Sequence, residues 1–323
     1  MRRFHLGKAV PVVLVSSFAA LASAMTPDPR PISLVPPTAT LVAGVKTANG
    51  GDLSTLVLTT HSNVVDLNDF TALWAVDSSR AIDQIITVAS GRNSDPYAEH
   101  GLIANGRFNQ ALIERSVHQA GANPTSYRGI AIMELPPLAR ERDTFQDVRW
   151  LVMMHSNLAL FGTIPIVKQE LDRYLAREAT DPSLERMLAH LQRDDDTWCV
   201  AKLQDGNSEI QSIFAPLDSR LARLLGAGDT VQVGVRYGRR VEFEYEVDVA
   251  PGVDPQPASR ALMESLISSK PAERAALPAA DWSRSDGGVR GVLTLSRTQY
   301  QTWIAQVMGS QADLHAAAGT PSH

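Results

Sequence analysis

Thr230-Val-Gln-Val-Gly-Val-Arg-Tyr237 and Val241-Glu-Phe-Glu-Tyr-Glu-Val-Asp-Val249 carry the reading that decides the fold. In each segment apolar residues recur at every second position, the period of a strand with one buried face. Val231, Val233, Val235 and Tyr237 make one apolar row; Val241, Phe243, Tyr245, Val247 and Val249 make the other. A slip of one residue would turn a whole row to water. The rows therefore coincide only if Tyr237 opposes Val241, Val235 opposes Phe243 and Arg236 opposes Glu242. Gly238-Arg239-Arg240 is then a three-residue hairpin loop.

Working outward from this hairpin, the same periodicities predict a linker over 250–257, a helix over 259–269, a strand over 289–295 and a closing helix. That helix carries a stripe of Tyr300, Trp303, Ile304, Val307 and Met308. Upstream, strands are expected over 41–46, 82–89, 101–106, 127–134, 148–155, 158–162 and around Cys199, with helices over 52–61, 69–76, 108–120, 164–178 and 182–192. Gly121 suits a left-handed cap at the end of the 108–120 helix. Val167, Leu171, Tyr174 and Leu175 make the core stripe of the 164–178 helix. Pro182, after Asp181, suits the first helical position of the next one.

Two stretches repeat an element order of strand, helical segment, two strands, helix, strand, helix, with a hairpin inserted in the first. Asn157–Thr163 leads into a helix at 164 as Val289–Ser296 leads into one at 297. The expected class is therefore α+β: two related halves, each a mainly antiparallel sheet covered by helices. The organisation read from the chain is a signal peptide over 1–24, a Pro-rich spacer over 25–39, a first half over 40–193, a second over 194–309 and a flexible tail over 310–323. The spacer reading rests on prolines 27, 29, 31, 36 and 37, which lack backbone donors and favour extended chain.

The signal peptide is read from Arg2, Arg3 and Lys8, an apolar run over 9–22, and Ala22-Ser23-Ala24 as a small-x-small cleavage pattern. The run is shorter than the roughly 20 residues needed to span a bilayer. No later run of that length follows, so the mature chain is expected to have no membrane span and to be periplasmic or extracellular. Of 30 basic and 35 acidic residues, cleavage removes three basic and no acidic ones. The acidic remainder argues against nucleic acid as a partner, and Arg140-Arg142 and Arg239-Arg240 are short enough to be solvated turns. With 44% hydrophobic, 20% charged and 6% aromatic residues and a single cysteine, the 323-residue chain is neither disordered, collagen-like nor disulfide-stapled. Cys199, within Thr197-Trp-Cys-Val-Ala201, reads as a small buried hydrophobe rather than a nucleophile.

No chemistry-bearing motif stands out. Phosphate-binding and dinucleotide glycine loops are absent, as are Gly-x-Ser-x-Gly and Ser-x-x-Lys. His61, His100, His118, His155 and His190 lack the spacing of a local zinc site. Asp194, Asp195 and Asp196 lack the alternating ligands of a calcium loop and read as a solvated turn. Catalytic, cofactor-binding and metal residues are accordingly assigned as none, and no cofactor is expected. Glu242, Glu244, Glu246 and Asp248 share one strand face at roughly 7 Å intervals. They could dock a cationic partner or polymer, but such a row is more often the wet face of an antiparallel sheet.

Leu34-Val-Pro-Pro-Thr-Ala-Thr-Leu-Val-Ala-Gly-Val45, Tyr127-Arg-Gly-Ile-Ala-Ile132, Leu158-Ala-Leu-Phe-Gly-Thr-Ile-Pro-Ile-Val-Lys168 and Asp196-Thr-Trp-Cys-Val200 resemble uncharacterised exported bacterial proteins of acidobacterial type that carry domains of unknown function. The resemblance covers much of residues 34–203. It implies an extracytoplasmic α+β protein and brings no catalytic or binding residues with it. The function expected is binding or scaffolding outside the cytoplasm, with another exported protein or a cationic molecule as partner. The alternative is an exported hydrolase whose cleft between the halves gathers Asp95, Glu99, His100 and His155.

Overall fold

A computed structural model describes residues 30–47, 82–90, 99–136, 148–202, 230–248, 281–284 and 288–302. Its strands are β1 (Leu41–Lys46), β2 (Ile82–Ser90), β3 (Glu99–Gly106), β4 (Asn123–Tyr127), β5 (Ile130–Leu135), β6 (Arg149–His155), β7 (Leu158–Thr163), β8 (Thr197–Lys202), β9 (Thr230–Tyr237), β10 (Arg240–Asp248), β11 (Asp281–Arg284) and β12 (Gly288–Ser296). The helices are α1 (Gln110–Gln119), α2 (Ile164–Ala176) and α3 (Pro182–Asp194). Residues 297–302 begin a further helix. The class is α+β with a mainly antiparallel sheet. The predicted signal peptide, the helices over 52–61, 69–76 and 259–269, most of the closing stripe and the tail lie outside the described residues.

All twelve strands join one sheet in the order β11-β12-β10-β9-β8-β1-β2-β3-β7-β6-β5-β4. This corrects the expectation of a separate sheet in each half. The joint is β1 against β8, paired antiparallel from Leu41↔Ala201 to Val45↔Thr197. Both strands are apolar on both faces, so neither is suited to stand as an edge. Trp198 of β8 lies across Gly44 of β1, where any Cβ would run into the indole. From this joint one arm runs β1-β2-β3-β7-β6, with β5 and β4 beyond it; the other runs β8-β9-β10-β12-β11.

The hairpin of β9 and β10 has the register its apolar rows require: Tyr237↔Val241, Arg236↔Glu242 and Val235↔Phe243. Its odd-numbered residues join one face of the sheet with Leu41, Ala43, Leu102, Phe161 and Cys199. On that same face lie Ile113 and Val117 of α1, together with Tyr300, whose ring meets Tyr237 edge-on and also contacts Phe243. The opposite face collects Val42, Ile86, Val88, Ile103, Leu160 and Trp198 with Val167 and Leu171 of α2 and Leu184, Leu188 and Leu191 of α3. Helix α3 starts as its sequence suggests, with the Asp181 carboxylate accepting from the N–H groups of Ser183 and Leu184 at 2.9 and 3.0 Å.

Three local expectations need correction. The strand predicted over 127–134 is a hairpin, because Arg128 and Gly129 turn at φ +49° and +82° and separate β4 from β5. The proline stretch is no spacer over its described part. Residues Pro31–Leu34 form a 3₁₀ turn, and Ile32, Leu34 and Val35 are buried in the α2 face of the core. Arg173 fixes that turn by donating from Nε to the Ser33 carbonyl at 2.8 Å. The stripe of α2 is also rotated from its predicted position: Leu175 is 42% exposed, while Ile166 and Glu170 are buried.

Candidate functional site

The even-numbered residues of β9 and β10 face the α2 side of the sheet, and there the second arm is polar. The Arg236 guanidinium is bonded to Glu242 across the hairpin and lies 3.4 Å from Glu244. Arg290 of β12 reaches Glu244 from the other side at 2.5 Å. Glu244 is thus gripped between two guanidiniums, and its side chain is only 10% exposed while theirs are about half exposed. Gln232 donates from Nε2 to Asp248 at 3.0 Å. Glu242, Glu246 and Asp248 remain partly exposed.

Asp195 completes this group from the end of α3. Its carboxylate lies directly over Gly234, where a Cβ would collide with it, and meets Arg236 Nε at 3.5 Å. Lys46 donates its ammonium to the Asp195 carbonyl at 3.0 Å. Asp196 accepts the Tyr237 N–H at 2.8 Å. The aspartate run is therefore no solvated turn at these two positions: Asp195 is 3% exposed and joins α3 to β9. The signal that marks this contact in the sequence is Gly234, a residue without a side chain in the midst of a valine-rich strand.

The acids and histidines proposed for a hydrolytic cleft are not gathered. Gly101 pairs with Gly162 and Asn105 with Leu158, which places Glu99 and His100 at one end of the β3–β7 pair. His155 pairs with Leu158 at the other end and bonds the Tyr174 hydroxyl at 2.9 Å. Asp95 lies outside the described residues. The joint between the arms is a hydrogen-bonded strand pair rather than a cleft. A small crevice near that joint is lined by Pro36, Pro37, Val42, Leu184, Met187 and Val200, with Asp181 and Lys202 as its charged groups. Among the described residues no three His, Cys, Asp or Glu side chains are grouped to hold a metal ion. No described helix is long and apolar enough to cross a membrane.

Cys199 sits at the sheet centre opposite Ala43, and burial pushes its thiol up to about 12. It is held as the uncharged thiol, which is a poor nucleophile. The arrangement is an ion-paired, partly exposed sheet face on which carboxylates outnumber guanidiniums.

No family model matches the chain, and no curated protein matches it. Among solved structures, crystal form I of TP0453 is similar at a TM-score of 0.49 and 11% identity, over 86% of this chain and 97% of that one.

Proposed function

We propose that this chain is an exported binding or scaffolding protein that uses the charged face of its second arm to hold a cationic partner outside the cytoplasm. The observation that carries the reading is the composition of that face. Glu242, Glu244, Glu246 and Asp248 of β10, with Asp195 over β9, set five carboxylates against the guanidiniums of Arg236, Arg240 and Arg290. Arg236 and Arg240 lie toward the hairpin loop, Arg290 stands opposite Glu246 and reaches Glu244, and Glu246 and Asp248 extend the acidic row away from the loop. A face of one net sign attracts and orients a partner of the other.

Export and the kinship with exported bacterial proteins rest on the N-terminal charge, apolar run and cleavage pattern and on the quoted motifs. We further infer that the two arms arose by duplication and that each is covered by helices. The support is the strand order, which repeats as β1-β2-β3-β7-β6 and β8-β9-β10-β12-β11, with α1, β4 and β5 as the insertion.

Titration of the full chain with a lysine-rich peptide tests the binding reading. Binding should weaken as ionic strength rises. The double substitution Glu246→Lys and Asp248→Lys should weaken it by about tenfold or more. Affinity unchanged by that substitution removes this face as the docking surface. Terminal sequencing of the secreted material should begin at Met25, and an intact Met1 there would remove the export reading.

A further inference from the structure

Glu170 lies on the face of α2 turned to the sheet and is wholly buried. Neither of its carboxyl oxygens has a hydrogen-bond partner. The residue beneath it is Gly101 of β3, where an added Cβ would stand 3.1 Å from Glu170 Oε1 and press on the Ile166 side chain. The glycine leaves the space into which the helix and its carboxyl descend.

Among the described residues, the elements packed around α2 supply no counter-charge to this group. Strand alternation places Leu158, Leu160 and Gly162 of β7 and Trp150 and Val152 of β6 on this face. From β3 the neighbouring residue on the Gly101 face is Glu99, a second acid. Arg149 of β6 alternates onto the opposite face with Leu151, and His155 meets Tyr174. Arg30 precedes the 3₁₀ turn, whose Ser33 carbonyl is taken by Arg173. Of the charged groups on α2 itself, Arg173 also serves Glu178 and Ala179, Lys168 lies over the Tyr127 and Trp150 rings, Asp172 meets Tyr127 and Arg128, and Arg177 caps the helix end.

We propose that α2 is a pH-operated clamp, closed on β3 and β7 while Glu170 keeps its proton and loosened when that proton leaves. Burial without a counter-ion raises this carboxyl well above the ordinary range, so the folded state prefers the neutral acid. The sign follows directly. Below the carboxyl's unfolded pKa of about 4.3 the group costs nothing, and stability is lost as pH rises from there toward the folded value. The folding constant falls by up to about tenfold per pH unit across that window.

Urea unfolding of the full chain between pH 4.5 and 8.5, with amide exchange measured on α2 and β2, tests the clamp. The wild type should lose at least tenfold more in folding constant over this range than Glu170→Gln, and the variant should be the more stable of the two at pH 8. In the wild type, α2 amides should open more as pH rises, after correction for base catalysis, and at a lower free energy than the β2 amides, which report global unfolding. Parallel pH curves for the two proteins, or a variant weaker at every pH, overturn the proposal. If Glu170→Gln does not fold, the wild-type exchange decides alone, and α2 opening that ignores pH overturns it.

Discussion

The two arms place different chemistry at matching positions of the sheet. Counted outward from the central Ala43↔Cys199 pair, Val42 corresponds to Trp198. Their partners in the next strands are Val88 and Gly234, and beyond those Gly101 and Glu244, then Gly162 and Val292. The adjacent row reads Ile86, Ile103 and Leu160 in the first arm but Gln232, Glu246 and Arg290 in the second. Where the first arm offers apolar side chains and a glycine pair, α2 lies down on β3, β6 and β7 and seals it, while α3 packs against β8 and β9 at the joint. Where the second offers charges, guanidiniums and carboxylates neutralise one another at the surface. Apolar rows thus seat a helix and charged rows leave a polar face, and the side chains of the strands decide which.

Three substitutions sharpen or break that comparison. The largest effect is expected at the joint: Trp198→Ala removes a wholly buried indole and should cost about 3–5 kcal/mol. In urea unfolding followed by two probes, one per arm, both transitions should move together; movement of one alone would show the arms to be independent. Gly234→Val installs on β9 the residue that β2 carries at Val88 and drives it into the Asp195 carboxylate. It should cost about 1–3 kcal/mol, read as a lower urea midpoint, and restoring room with Asp195→Ala should recover part of the loss. Glu244→Gln leaves two half-exposed guanidiniums with a neutral partner and should cost about 1–2 kcal/mol, a loss that shrinks in high salt. A salt-independent loss would mean that Glu244 acts through packing instead.

How far the sequence foretold this follows from the range over which each signal acts. The β9–β10 hairpin was legible to the residue because alternation and a short loop are local, and the same holds for the start of α3 at Pro182. The joint was not, since nothing in Leu41–Lys46 or Thr197–Lys202 says that two apolar strands from different halves will choose one another. Asp195 was read as solvated because an aspartate run looks wet until Gly234, far along the chain, is seen to make room for it. Glu170 was missed for a related reason. A glutamate one turn after Ile166 reads as an outward residue, and only Gly101 on β3 reveals the hollow that receives it.

The pairing of Ala43 with Cys199 also has a consequence for the order of events at birth. The hydrogen bonds at the middle of the sheet cannot form until the chain has been made past Lys202, so β1 waits with one flank unsatisfied while the whole first arm is synthesised. Contacts so distant in sequence make for slow folding.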